Sequence, residues 1–183
     1  MDVTVAVLAG GRGSRIGGDK ALVELNGRPL ITYPLETARR AGLPTVIVAK
    51  RATKLPPVTT QLLLEPDEPT HPLLGVLTAL RELPAVIALP CDMPFVTASE
   101  LAALAAIDAE IGTLRQGQPF PSLYRRSVLP QLRKALEANQ STRSTQAQSR
   151  LAPEAASSTD SATQITINTP EDLASAERLL RRR

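Results

Sequence analysis

The feature that most narrows the fold is a short, unbroken apolar run at the N-terminus, Val3–Leu8 (VTVAVL), that stops at a loop crowded with glycine. An apolar run that does not alternate with polar residues fits a strand buried on both faces, as in a parallel sheet lying between helices. Runs of the same kind recur at 45–49 (TVIVA), 60–64 (TQLLL) and 85–89 (AVIAL), with a weaker one at 164–167 (QITI). Helical periodicity fills the intervals at 30–41, 73–83, 98–106 and 128–138. Strand alternating with helix predicts a three-layer, doubly wound, mostly parallel α/β sheet. A last helix is marked by Thr169 as N-cap, Pro170 at the first helical position and Asp172 three residues after the cap. Residues 139–162 are rich in Ser, Thr, Gln and Ala and read as a solvated connection, with a substrate lid as the alternative.

Composition narrows the function classes. A chain of 183 residues with 43% hydrophobic content can bury a core, and one domain over 1–183 is expected. With aromatics at 2%, stacking platforms for single-stranded nucleic acid are scarce, and nucleic acid is not an expected partner. The net charge of +3 owes much to Arg178, Arg181, Arg182 and Arg183 at the C-terminal end, so a small phosphate-bearing substrate fits better than a DNA groove. The single cysteine, Cys91, has no disulfide partner in its own chain, and no His cluster offers metal-ligand spacing. A cytoplasmic protein without a membrane span is expected, because MDVTVAVLAGG lacks a basic leader and glycines interrupt its apolar run.

In open α/β sheets ligands bind beyond the carboxyl ends of the strands, and the loop after the first strand is the usual phosphate site. Here that loop carries Gly10, Gly11, Gly13, Gly17 and Gly18 together with Arg12, Arg15 and Lys20. Glycine permits positive φ and lets N–H groups approach phosphate oxygens, while Arg forks across two oxygens and Lys acts as a point charge. A P-loop would need Ser or Thr after the lysine, and Lys20 is followed by Ala21. The dinucleotide fingerprint would need its third glycine one residue earlier than Gly17. A glycine-rich turn with ordinary surface cations is the bland alternative. As a loop cation, Lys20 is expected to add little to stability.

A second candidate lies where the run AVIAL enters Pro90, Cys91, Asp92, Met93 and Pro94. A carboxylate at Asp92, just past a strand end on the same sheet edge, can hold Mg²⁺, which takes one or two protein carboxylates and completes its octahedron with phosphates and water. The bland alternative is a cap or turn aspartate.

The segment LAGGRGSRIGGDKALVELNGRPL resembles the signature of the molybdenum cofactor guanylyltransferase family, whose pattern runs LAGG, a basic stretch, GG or MG, DK and an NG-[KR]-PL turn. LPCDMPFVT is similar to that family's metal-binding CDxP motif, LLLEPDEPTHPLLGV to the segment ending in GPLAG, and TINTPEDL to NxNTPEDL. The resemblance implies a Rossmann-like nucleotidyltransferase fold and transfer of GMP from GTP to molybdopterin, with Mg²⁺ as cofactor and pyrophosphate released. It implies a nucleotide cradle in Leu8, Ala9, Gly10 and Gly11, with Lys20 and Arg15 on the triphosphate and Asp92 on the metal. Asp67 matches the acidic residue that contacts the guanine nucleotide, Gly75 the last glycine of GPLAG, and Asn168 the second asparagine of a pair near the acceptor pocket. LAGG rather than LAAG implies a purine at Gly10, where a missing side chain leaves room for a larger base. Transient contact with other cofactor-biosynthesis or acceptor proteins is also implied.

The chain departs from the pattern in places. His71 stands where glycine is usual and reads as a surface loop residue, Leu74 replaces alanine, Thr166 replaces the first asparagine, and Ala49 and Lys50 stand where relatives carry an asparagine. Three rivals remain open at this point. They are a transferase of the same fold for another phosphorylated acceptor, a catalytically silent GTP-binding module, and a NAD(P)-binding oxidoreductase with Glu36 near a ribose.

Overall fold

The computed structural model describes residues 2–11, 16, 18–114, 118–139, 150–151 and 165–181. In chain order the elements are β1 (Val3–Leu8), β2 (Glu24–Leu25), β3 (Arg28–Pro29), α1 (Thr32–Arg40), β4 (Thr45–Lys50), β5 (Gln61–Glu65) and α2 (Pro72–Glu82). They continue with β6 (Ala85–Pro90), α3 (Ala98–Ala105), β7 (Ile111–Thr113), β8 (Ser122–Arg125), α4 (Leu129–Glu137), β9 (Arg150–Leu151) and a last helix, α5 (Pro170–Leu180).

Among the described residues one sheet of seven strands has the order β5-β4-β1-β6-β8-β7-β9, and β2 pairs with β3 separately. The four strands β5, β4, β1 and β6 run parallel, with Val7 opposite Ile47 on one side and Leu89 on the other. β8 runs antiparallel to β6 and to β7. The mostly parallel, doubly wound sheet expected from the alternation of elements is therefore observed.

Period-two alternation on β1 sorts its side chains onto two faces. Val3, Val5 and Val7 pack with Ile31, Ala38, Leu101 and Leu104 on the α1/α3 side. Ala6 packs with Leu73, Val76, Leu77, Leu132 and Ala135 on the α2/α4 side. Both faces are buried, which is why the sequence of β1 shows no polar alternation beyond Thr4. A third, smaller core joins Leu25, Leu30, Phe95, Ile167 and Ala176, so α5 docks on the β2–β3 hairpin. That hairpin turns through Asn26 (φ 52°) and Gly27 (φ 73°), the left-handed pair a two-residue hairpin demands.

Three elements differ from the sequence expectation. The described part of the weak run, residues 165–167, is irregular: the Ile167 N–H donates to the Asp92 carbonyl (3.0 Å), and its side chain is buried in the small third core. It is an apolar anchor, and a single anchoring residue looks like half a strand in sequence. β7 and β8 have no counterpart among the expected runs because each is short and interrupted by Gly112, Ser122 or a charged end. Their side of the sheet is tied by arginine side chains, with Arg125 Nε donating to the Ala109 carbonyl (2.9 Å) and Arg126 Nε to the Leu80 carbonyl (3.0 Å) near the end of α2. Of the positive φ expected across the glycine loop, Gly18 shows it (φ 150°), Gly10 and Gly11 do not, and Gly13 and Gly17 lie outside the described residues. Most of segment 139–162 also lies outside them.

Candidate active site

β1 is the topological switch point, since the chain passes first to β4 on one side of it and later to β6 on the other. Helices α1 and α2 consequently leave from opposite faces, and a crevice opens where the parallel strands end. A cavity of about 450 Å³ occupies it. Each parallel strand delivers a group to its wall: Leu8, Gly10 and Gly11 from β1, Lys50 from β4, Glu65 from β5, and Cys91 and Asp92 after β6. His71, Pro72 and Gly75 at the start of α2 close one side, and Gln118, Phe120 and Thr166 line the other.

One end of the cavity is built around Lys20. A single 3-10 turn, Lys20–Leu22, is pinned by the buried Ala21 and holds the lysine at the rim. Lys20 Nζ donates to Asp92 Oδ2 (2.5 Å) and to Asn168 Oδ1 (2.6 Å). The Asp92 backbone is fixed from both sides, because the Cys91 N–H donates to the Leu8 carbonyl and the Asp92 carbonyl accepts from Ile167. Asn168 is set by the cap of α5, where Asp172 Oδ2 accepts from the N–H groups of Asn168 and Thr169 (2.9 Å each). The Asn168 N–H bond, first among the causes, holds the Asp172 carboxyl below its ordinary value. Lys20 and Asp92 side chains are 15% and 11% exposed, so the pair is sheltered and Lys20 is not the free surface cation that its loop position suggested.

Asp92 Oδ1 is buried and has no hydrogen-bond partner among the described residues. A buried anionic oxygen with nothing to bond is costly, and a hard cation is the natural way to satisfy it. No cluster of three or more His, Cys, Asp or Glu that could hold a metal occurs among the described residues. The neighbouring Cys91 thiol is pushed up to about 12, chiefly by burial and also by Asp92. A thiol held protonated is no nucleophile at neutral pH.

The other end holds a carboxylate. Glu65 is half-buried beside Gly10 and Gly75. A Cβ at Gly10 would collide with Glu65 Oε1 and lie 2.9 Å from its carboxyl carbon, and one at Gly75 would lie 3.1 Å from Glu65 Oε2. The room left by the glycine side chain is thus taken by an acid. Burial raises the Glu65 pKa, with Lys50 opposing and Asp67 adding to the rise.

Of the residues singled out from sequence, Leu8, Gly10, Gly11, Lys20, Gly75 and Asp92 line the cavity. Ala9 lies beneath it, buried, with its N–H donated to the Val48 carbonyl (2.8 Å). Asp67 lies outside, because two residues past the strand end the chain has turned away; its side chain is exposed and its carbonyl accepts from Lys50 Nζ. Asn168 reaches the site through Lys20 rather than as part of the wall. Arg15 lies outside the described residues. Sequence reasoning missed Glu65 and Lys50, although the signal was available: each ends a parallel strand on the edge that already held Asp92. His71 is the N-cap of α2, its Nδ1 accepting from the Leu73 N–H (3.1 Å), and it faces the cavity rather than open solvent.

The same fold occurs in 2-C-methyl-D-erythritol 4-phosphate cytidylyltransferase from Thermus thermophilus (19% identity, TM-score 0.71, covering 99% of this chain and 100% of that one). Molybdopterin-guanine dinucleotide biosynthesis protein A from Archaeoglobus fulgidus is similar over 98% of this chain and 100% of its own (25% identity, TM-score 0.78). The chain therefore shares the fold of nucleotidyltransferases. The molybdenum cofactor guanylyltransferase of Pseudomonas entomophila (strain L48) is 32% identical over 148 residues, 75% of this chain and 78% of that protein. The chain belongs to the MobA-like NTP transferase family, whose domain model matches residues 5–153. No helix among the described residues is long and apolar enough to cross a membrane.

Proposed function

We propose that the chain transfers GMP from GTP to the terminal phosphate of molybdopterin, forming the guanine dinucleotide and releasing pyrophosphate. One observation carries the reading: a single cavity holds a carboxylate at one end and a lysine–aspartate pair at the other. Guanine presents N–H donors at N1 and N2, which a carboxylate accepts as a pair, and a triphosphate calls for a cation and a metal-holding acid. Glu65, seated against Gly10 and Gly75, supplies the base end, a role the resemblance had given to Asp67.

In the reaction an oxygen of the acceptor phosphate attacks the α-phosphorus, the new P–O bond forms, and the bond to the β-phosphate oxygen breaks in line. The acceptor phosphate has a second pKa of about 6 and is already an anion at neutral pH, so no general base is required. The protonated Cys91 and the helix-capping His71 agree with that. What remains is positioning and charge. Lys20 moves its ammonium from Asp92 to the triphosphate, and Asn168 keeps it in place at the rim. Mg²⁺ would be held by Asp92 and would supply neutralisation of the charge on the triphosphate. Gly10 and Gly11 let the nucleotide lie on backbone, Arg15 adds charge to the triphosphate, and the wall at Gln118, Phe120 and Thr166 faces the acceptor.

Pyrophosphate release from GTP, ATP and CTP, with and without molybdopterin and Mg²⁺, tests this directly. Release should require GTP, molybdopterin and the metal together. Equal release with CTP, or binding of GTP without turnover, would overturn the reading in favour of another acceptor or a silent module.

A further inference from the structure

Lys50 is a charged wall residue that the proposed function does not yet use. It ends β4, and its Cα partner across the parallel ladder is Glu65, so the two side chains rise from neighbouring strands at the same level of the site. Both line the cavity and both flank Gly10, whose added Cβ would meet the Glu65 carboxyl on one side and lie 3.5 Å from Lys50 Cγ on the other. Yet among the described residues no ion pair joins them. The Lys50 ammonium instead donates to the carbonyl of Asp67, two residues past the end of β5, and among the described residues its other two N–H donors have no partner. A donor and an acceptor are therefore held side by side without consuming each other. Guanine carries an acceptor, O6, next to its donors at N1 and N2, whereas adenine reverses the pattern with an amino group at C6.

Resting on the guanylyl reading above, we propose that Lys50 is a specificity-determining residue that donates to O6 of the guanine whose N1 and N2 groups bond Glu65. Adenine would then place an amino donor against the ammonium and a lone pair against the carboxylate, so the pair selects by repulsion as well as by attraction. Such a site rejects a base that mismatches its hydrogen bonds far more strongly than one that differs only in size.

The test uses the whole chain with Mg²⁺ and measures nucleotide affinity by calorimetry for wild type, Lys50→Met and Lys50→Arg. The probes are GTP, CTP and 2-aminopurine riboside triphosphate, which lacks O6 and with it the N1 proton, so that only its 2-amino group can donate to Glu65 and nothing is left for Lys50 to donate to. Lys50→Met should weaken GTP roughly 10- to 100-fold, the scale of one charge-assisted hydrogen bond, and leave the analogue unchanged. Lys50→Arg, which keeps a donor and the charge, should restore most of the GTP affinity. If Lys50→Met weakens GTP and the analogue alike, the lysine acts only through general charge or packing and the assignment is overturned. If wild type binds CTP as well as GTP, the guanylyl reading itself fails.

Discussion

Replacing Gly10 by alanine isolates the contact on which purine selection rests. Gly10 does not use a left-handed φ, so its backbone can accept a side chain. The new Cβ would overlap Glu65 Oε1 and crowd its carboxyl carbon, while Lys50 Cγ at 3.5 Å is in ordinary contact. Only the end of a flexible side chain stands in the way, so Glu65 swings aside and the sheet stays in place. Removing a glycine stabilises by about 0.4–1 kcal/mol through the unfolded chain, which offsets part of the displacement. The melting temperature should therefore change by no more than about 2–4 °C, the equivalent of about 1 kcal/mol in a chain of this size. Function should respond far more. A displaced carboxylate loses at least one charged hydrogen bond to guanine, worth about 1.5–3 kcal/mol, or roughly 10- to 150-fold in affinity. Steady-state pyrophosphate release should show that rise in KM for GTP, while the weak binding of ATP and CTP measured by calorimetry is little altered. Adding Glu65→Asp, one methylene shorter, should recover part of the loss, and Glu65→Ala should add nothing to it because both changes break one contact. Unchanged KM for GTP in Gly10→Ala would refute the proposed coupling, and so would an equal loss for every nucleotide.

Three further outcomes follow from the same contacts. Lys20→Ala should cut turnover by about 10²–10³-fold and also cost about 1–3 kcal/mol of stability, because a sheltered Asp92 is left unpaired; adding Asp92→Asn should restore the stability but not the activity, as read by thermal melts and pyrophosphate release. Glu65→Gln should weaken GTP binding while leaving the melting temperature equal or higher. The raised pKa of Glu65 means that its charged form is disfavoured in the folded state, so it holds back stability above that pKa, and wild-type GTP affinity should fall as the pH drops through a range above the ordinary carboxylate value, a dependence the variant lacks. Thr169→Ala removes the hydroxyl that accepts from the Asp172 N–H; it should cost about 1 kcal/mol in chemical denaturation and lower kcat more than it raises KM for GTP, because Asn168 then holds Lys20 less firmly.

What the sequence revealed and what it hid divide along a physical line. β1, β4 and β6 are buried by helices on both faces, so their residues are almost uniformly apolar and legible; β5, at the sheet edge, was legible from its leucine run although Leu62 and Leu64 are exposed, and α5 announces itself through a capping box at Thr169 and Asp172. β7 and β8 lie where pairing depends on antiparallel neighbours and on Arg125 and Arg126 bonding distant carbonyls, interactions that leave no local period. The phosphate end was legible because glycines and a lysine crowd the loop after β1 and an aspartate stands just past the end of β6. The base end was not, because its residues are recognised by where strands stop. Glu65 and Asp67 differ by two positions in sequence, yet one lines the cavity and the other faces outward, since the chain bends as soon as β5 ends.

Lys20, Asp92 and Asn168 also show how the site remains stable before substrate arrives. A buried carboxylate and a sheltered ammonium would each be expensive alone, and held at 2.5 Å they cancel. Under the proposed reaction each exchanges one partner of opposite charge for another, Lys20 taking phosphate and Asp92 taking Mg²⁺, so no lone charge is created at any stage. The exchange needs only a side-chain rotation at Lys20, because Asp92 is fixed by the Ile167 N–H and Lys20 by its single helical turn. Asn168, a neutral acceptor, can stay bonded to the ammonium through that rotation, which a second carboxylate at the same place would resist by competing with phosphate. Asn168→Asp should therefore bind the lysine more tightly in the free protein and raise KM for GTP, whereas Asn168→Ala should mainly lower kcat. If the two variants behave alike, Asn168 does not steer Lys20.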